Sequence, residues 1–230
     1  MKRTVKTEWL DELPPDDPGA LGSRRDIKRL NGVMGNAGIL SRLLRPESRQ
    51  PKRIVEIGAG DGLFMLRLAK YLSPAWKKME VVLVDDKPAT VEEARSGLRA
   101  LGWTVETAVT DVFDWLKRPK QEIADVMVAN LFLHQFSDVQ LAEMLGLAAA
   151  QTKLFVACEP RRGLSNLFMS HTVGLIGCNA VSRHDAPVSV HAGFAGQEIS
   201  SFWPANGRWR LQERPAQFFS QTFLAEAIDE

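Results

Sequence analysis

The sequence predicts an α/β fold: a doubly wound, Rossmann-like sheet of parallel strands, closed by an antiparallel edge and preceded by an N-terminal helical cap. Three observations predict it. Short β-rich runs alternate with helical patterns from Arg53 onward, each run is close to continuously apolar, and a glycine-rich turn follows the first run. Near-continuous apolar runs suit strands covered on both faces, and the alternation suits parallel strands joined by right-handed crossovers.

The elements follow in order. Residues 1–50 hold the Pro/Gly-rich DELPPDDPGALG and then RDIKRLNGVMGNAGILSRLL, whose interrupted helical periodicity reads as the cap. Residues 51–230 form the ligand-binding domain. Its strands are RIVEI (53–57), EVVLV (80–84), TVETAV (104–109), DVMVAN (125–130) and KLFVAC (153–158). Between them, GLFMLRLAKYL, PATVEEARSGLRAL, VFDWLKR and SDVQLAEMLGLAAAQ read as helices. In the second of these, Pro88 suits a first turn, Glu92 and Glu93 come early, and Arg95 and Arg99 come late, as the helix dipole prefers. Residues 161–195 contain three of the four histidines and little regular pattern, which predicts an irregular segment on the substrate side, over the strand ends. The tail reads as a helix (FAGQEISSFW) and two strands (WRLQER, AQFFSQTFL) that pair antiparallel at one edge.

Composition bounds the function. The chain has 230 residues, 45% apolar and 25% charged, enough for a sizeable core. A net charge of +1 gives no electrostatic reason to expect nucleic acid or an anionic membrane as partner. Cys158 and Cys178 show no metal-type spacing, and reduced thiols in a cytoplasmic protein are expected. The N-terminus MKRTVKTEWLDE lacks an apolar signal core, and the longest mostly apolar stretch, 167–181, falls short of the ~20 residues of a bilayer span. No membrane span is expected.

The turn after the first strand is VEIGAGDG, with Gly58, Gly60 and Gly62 spaced G-x-G-x-G. A dinucleotide fingerprint would need its third glycine at position 63, which is Leu63, so an NAD(P)-dependent reductase is disfavoured. The acids Glu56 and Asp61 point the same way. A pyrophosphate at a helix N-terminus wants positive potential, and a like-charge pair at ~4–6 Å costs roughly 3–4 kcal/mol at an effective dielectric near 20. A cationic ligand with ammonium and sulfonium groups reverses that sign, and S-adenosylmethionine (SAM) is such a ligand. Downstream, VVLVDDKP ends the second strand with Asp85, placed to take two ribose hydroxyls. After the third strand, Asp111 either accepts from an adenine amine or caps the helix that follows, and the Val112 N–H faces a ring nitrogen.

Together, VEIGAGDG, VVLVDD, VTDVF and ADVMVANLFLHQFSD resemble the class I SAM-dependent methyltransferases over roughly residues 53–160. The resemblance implies that Gly58, Gly60 and Gly62 line the methionine end of SAM, with Glu56 supporting the loop. It implies Asp85 at the ribose, Asp111 and Val112 at the adenine, and Asn130 and Leu131 beside the transferred methyl. A narrower similarity, carried by RRDIKRLNGVMGNAGILSRLL, LFLHQF and RHDAPVSVHAGF, is to small-molecule methyltransferases of polyketide and phenolic-lipid pathways. It implies O-methylation of a small phenolic or lipid-like hydroxyl compound. One departure stands out: LHH is common after the fourth strand, and here Gln135 takes the second histidine's place. The N/D-P-P-Y/F pattern of nucleobase methylation is absent from NLFL.

A phenolic acceptor gains from a general base near neutrality. His134, just beyond the fourth strand, is the first candidate, with a loop-shaping histidine as the alternative. His184, beside Asp185, is the rival. Phe132, Phe168, Met169, His171 and His191 are the candidate acceptor pocket, with core packing the alternative for the apolar three. Glu159 and Arg161 in CEPRRG, after the fifth strand, are expected to form salt bridges at the rim, with side chains facing the pocket as the alternative. No cluster has the spacing of a metal site. C-methylation and cofactor binding without catalysis remain open beside O-methylation.

Overall fold

The computed structural model describes residues 1–14, 16–44, 50–87, 91–119 and 122–228. Seven strands form one sheet: β1 (Arg53–Ile57), β2 (Glu80–Asp85), β3 (Thr104–Val109), β4 (Ala124–Asn130), β5 (Thr152–Pro160), β6 (Trp209–Ala216) and β7 (Ser220–Ala227). Their order is β3-β2-β1-β4-β5-β7-β6. Strands β1 to β5 pair in parallel, and β7 runs antiparallel to both β5 and β6, closing the edge as the sequence predicts. The five parallel strands fall within two residues of their predicted bounds. Strand β3 lies at the sheet edge rather than being covered on both faces. Thr104 and Glu106, on one side of its pleat, are exposed, and Val109 is 64% exposed.

Alternation across the pleat sorts the core into two layers. One layer holds Ile54, Val81, Leu83, Val126 and Val156 against α3 (Asn36–Leu44) and α4 (Leu63–Leu72), through Leu40, Leu44, Met65 and Leu68. The other holds Val55, Val82, Met127 and Phe155 against Trp115 of α6 (Val112–Leu116) and Leu141 and Met144 of α7 (Asp138–Ala149). Helix α3 therefore belongs to the sheet-covering layer. The rest of the N-terminal cap, α1 (Trp9–Glu12) and α2 (Pro18–Met34), packs with the later helix α9 (Ala180–Ala192). Between α4 and α6, α5 is Glu92–Ala100, with Val91 as its N-cap. Pro88, the expected first-turn proline, lies outside the described residues.

Two expectations are corrected. Residues 161–195 are helical, forming α8 (Leu164–His171), a 3-10 turn at Val173–Ile176, and α9. Periodicity misses α9 because two of its inward positions, Ser182 and Asp185, are polar, and because Pro187 stands inside it. Second, the run read as one strand from residue 216 begins with a hairpin turn. Gln217 adopts φ +53°, Phe218 is 81% exposed, and β7 starts only at Ser220. The remaining helix, α10, is Glu198–Phe202, shorter than the pattern suggested.

Candidate functional site

The C-terminal ends of the parallel strands converge where the strand order reverses, between β1 and β4, the place an open α/β sheet offers a ligand. There the three glycines of the first turn serve three purposes. Gly58, at φ +68°, lies under the Phe132 ring, which a Cβ would meet at 2.2 Å. Gly62, at φ +71°, packs against Leu83 and Ala94. A Cβ on Gly60, at φ +55°, would meet nothing within 4 Å, so this glycine faces open space.

Asp85 ties the first two turns together. Its Oδ2 accepts the Gly60 N–H at 2.8 Å and its Oδ1 accepts the Lys87 N–H at 3.0 Å. Burial raises its pKa, against the pull of those two amides. Asp111 caps α6, accepting from the Phe113 and Asp114 amides at 2.7 and 3.2 Å, and is among the residues that line the cleft. The cleft encloses about 430 Å³ between Gly58, Asp85, Asp111, Val112, Phe132 and Phe136. Phe132 meets Phe136 edge-on at 5.0 Å, and Phe136 meets Phe113 at 5.8 Å, giving the cleft an aromatic wall.

Glu56 lies beneath the glycine turn, 1% exposed, with no hydrogen-bond partner at Oε2. Burial, and then the charges of Asp61 and Asp85, raise its pKa well above the usual range. Asp61 itself turns back on the protein. It accepts from the Leu63 amide at 3.1 Å and pairs with Lys28 at 2.9 Å, so much of its charge is met within the chain.

A second cavity of about 260 Å³ adjoins the cleft and shares Asp11 and Gln135 with it. Its other walls are Val5 to Glu8 of the N-terminal segment, His134 and Ala192. His134 and Gln135 reach it from the loop after β4, whereas Asn130 and Leu131, at the start of that loop, line neither of the two cavities. Asn130 accepts from Asn36 Nδ2 at 2.9 Å, and Asn36 in turn accepts from Ser220 Oγ at 3.0 Å. Leu131 follows with φ +53°, a strained conformation for a branched residue, its amide held by the Cys158 carbonyl.

Glu159 organises this loop and is not a rim residue. It is fully buried at the end of β5 and accepts from the Phe132, Leu133 and His134 amides at 2.9, 3.0 and 3.3 Å. It also bonds His134 Nδ1 at 2.8 Å. His134 Nε2 lies 3.7 Å from Glu8 Oε1, an ion-pair separation. Burial works against the imidazolium, but Glu159 and Glu8 outweigh it and raise the pKa of His134 to about 9. Arg161 anchors an edge through its amide, bonded to the Phe219 carbonyl. The neighbouring Arg162, itself buried, pairs with the half-buried Glu198.

The other candidates fall elsewhere. His184 does meet Asp185, at 2.8 Å, but its ring stacks under Trp9 at 3.8 Å and lines neither cavity. Phe168 (71% exposed), Met169 (45%) and His171 lie at the surface of α8, in neither the core nor the two cavities. His191 contributes its carbonyl, which accepts the Thr4 amide. Of the predicted acceptor pocket, Phe132 alone reaches a cavity, and that is the larger cleft. The residues missed are Val5 to Glu8 and Asp11, because nothing local marks a charged N-terminus as the wall of a site built some 120 residues later. No group of three or more potential ligands that could hold a metal ion occurs among the described residues. None of the described helices is long and apolar enough to cross a membrane.

Comparison with known proteins agrees with this geometry. Residues 54–153 match the sequence model of a family described as a methyltransferase domain. No curated protein sequence matches the chain. Among solved structures, the plantazolicin methyltransferase BpumL in complex with SAH aligns with a TM-score of 0.67 at 13% identity, covering 93% of this chain and 92% of that one. An O-methyltransferase family protein from Burkholderia thailandensis aligns at 0.60 and 15% identity over 94% of this chain. The chain spans 64% of that protein's length. Magnesium protoporphyrin IX methyltransferase from Synechocystis, with bound SAH, aligns at 0.55 and 13% identity, covering 84% of this chain and 82% of that one. At these identities the likeness establishes the fold alone.

Proposed function

We propose that the chain, whose residues 54–153 match the methyltransferase-domain model, is a class I SAM-dependent methyltransferase that methylates a hydroxyl of a small, phenol-like molecule. The observation that carries this reading is the junction of two cavities. A cleft framed by Gly58, Asp85 and Asp111 opens beside a pocket that contains His134.

The residues present fit SAM. Gly60 leaves its side of the turn open, Glu56 holds a buried oxygen without a partner, and Asp85 ends β2 beside the cleft. Asp85 would hold the ribose, Asp111 and the Val112 amide the adenine, and Phe132 and Phe136 the flat faces. Gly58, Gly60, Gly62 and Glu56 would hold the methionine end, and Asn130 and Leu131 would border the methyl group. SAM supplies a methyl carried on a sulfonium, ready for in-line displacement.

The chain's own contribution is alignment and a proton acceptor, and alignment alone can be worth ~7–11 kcal/mol. Nδ1 of His134 is committed to Glu159, which fixes the ring and leaves Nε2 for the acceptor. The hydroxyl proton passes to Nε2 of neutral His134. Bound SAM would supply the methyl that replaces that proton on the acceptor oxygen, with the neutral thioether as the leaving group. The pocket favours the small end of the expected acceptor range. At about 260 Å³, with Val5 and Ala192 its apolar lining residues, it suits a single polar ring better than an alkyl chain.

Thermal shift with SAH, SAM and NADH tests the cofactor, followed by mass spectrometry of a phenol panel incubated with SAM. Stabilisation should approach ~2.7 kcal/mol at ligand 100-fold above Kd. A shift with NADH and none with SAM or SAH overturns the reading. Binding without methylation of any panel member favours a binding protein.

A further inference from the structure

The first eleven residues form a strap across the acceptor pocket, held from several elements. Arg3 lies over the Phe194 ring at 4.7 Å and bonds the carbonyls of Ala192, His134 and Phe136, at 2.9, 3.2 and 2.8 Å. The Thr4 amide donates to His191, and the Trp9 and Leu10 amides donate to the Asp185 carboxylate at 2.9 and 3.1 Å. Asp11 pairs at 2.9 Å with Lys87, and both line the cofactor cleft. At the centre of the strap is Glu8, bonded to Ser189 Oγ of α9 and facing His134 Nε2.

We propose that Glu8 is a positioning residue of the acceptor pocket: its carboxylate clamps the strap onto His134, and an acceptor hydroxyl reaches Nε2 only after Glu8 has moved aside. This rests on the reading of His134 as proton acceptor. The geometry forces the order of events. Nε2 and Glu8 Oε1 are 3.7 Å apart, and an oxygen bonded to both, with contacts of ~2.8 Å at an open angle, needs about 5 Å between them. With Nδ1 held by Glu159, the ring has no other nitrogen to offer.

The clamp also couples closure to charge. The groups facing the pair are Glu159 from β5, His184 and Ser189 from α9, and Lys6 and Asp11 from the strap itself. The imidazolium lowers the pKa of Glu8 against the effect of burial, and Glu8 helps to raise that of His134. His134 is therefore charged while the strap is closed at neutral pH, and withdrawal of Glu8 removes one of the two carboxylates that hold the proton on it. Because the closed state carries the higher His134 pKa, closure is favoured at lower pH and weakens as pH rises through about 9.

Two measurements on the full chain test this: NMR titration of the His134 ring, and amide exchange, corrected for intrinsic rates, at Trp9 and Leu10. Glu8→Gln should lower the His134 midpoint by roughly one to three pH units. It should also speed exchange at both amides by roughly tenfold, the loss of about one hydrogen-bond-scale contact. In the wild type their protection should fall towards pH 9, and in Glu8→Gln it should stay flat. Ser189→Ala, which frees the other side of the carboxylate, should speed the same amides by a smaller factor. An unchanged midpoint in Glu8→Gln, or a lowered midpoint with unchanged exchange, overturns the proposal. Failure of the base reading shows separately, as full methyl transfer to a phenol by His134→Gln while the Glu8 effects on the wild-type ring stand.

Discussion

The two halves of the site are built by different rules. The cofactor side consists of turns that each follow a parallel strand. Asp85 reaches Gly60 across neighbouring strands β2 and β1, and Asp111 bonds amides two and three residues ahead. The half proposed for the acceptor is assembled from segments far apart in sequence. Glu8 meets His134, Arg3 meets the same loop, and Glu159 gathers four N–H groups from residues some 25 positions earlier. A side built of turns needs only the strand order to be right. A side built of distant buried charges needs every partner present, since a buried charge that loses its partner is costly.

The largest expected effect breaks the second half. Glu159→Gln puts an amide NH2 among converging donors and leaves the His134 imidazolium without its nearest counter-charge. A stability loss of about 3–5 kcal/mol is expected, as for one partner of a buried pair. For a chain of this size it should appear as a melting point lower by roughly 10 °C. SAH affinity, measured below the transition, should change little, because no group on the cleft wall bonds to Glu159 through its side chain except Phe132, by its amide. A tenfold loss of SAH affinity would show that the halves are coupled after all.

The complementary break is Asp85→Ala. It removes the anchor of the Gly60 amide and the acceptor proposed for the ribose. Charge-assisted hydrogen bonds contribute about 1.5–3 kcal/mol each, so SAH binding by calorimetry should weaken by roughly 10²–10³-fold. The His134 ring titration should stay where it is, with a midpoint of about 9, because Asp85 is not among the groups that shift it. Equal SAH affinity in variant and wild type would remove Asp85 from the cofactor site.

The same division decided what could be read from the sequence. Strands β1 to β5, the edge pair, the glycine turn and the positions of Asp85 and Asp111 were legible because each depends on local pattern plus a sheet order with few alternatives. His134 was legible as a place, a histidine just past β4, but not as a charged group between two carboxylates. Glu159 was misplaced for that reason: CEPRRG looks like a surface run, and only the parallel pairing of β4 with β5 takes its acid inside. Helix α9 was missed because its inward Ser182 and Asp185 serve hydrogen bonds to α2 and the strap, so burial left no apolar stripe.

The smallest effect is expected at Phe168, where a reading from composition and position failed. An aromatic near the predicted strand ends suggests a pocket wall, yet the ring is 71% exposed, on the outer side of α8. Exposed apolar side chains are common on folded surfaces and need no function. Phe168→Ser should therefore change the melting free energy by no more than about 0.5 kcal/mol, the range of ordinary surface substitutions. SAH affinity and the His134 midpoint should both be unaffected. A loss of methyl transfer in this variant, with SAH binding intact, would mean that the acceptor extends past the strap onto α8. The acceptor side would then be larger than the pocket that Glu8 closes, and its apolar part would lie outside rather than within.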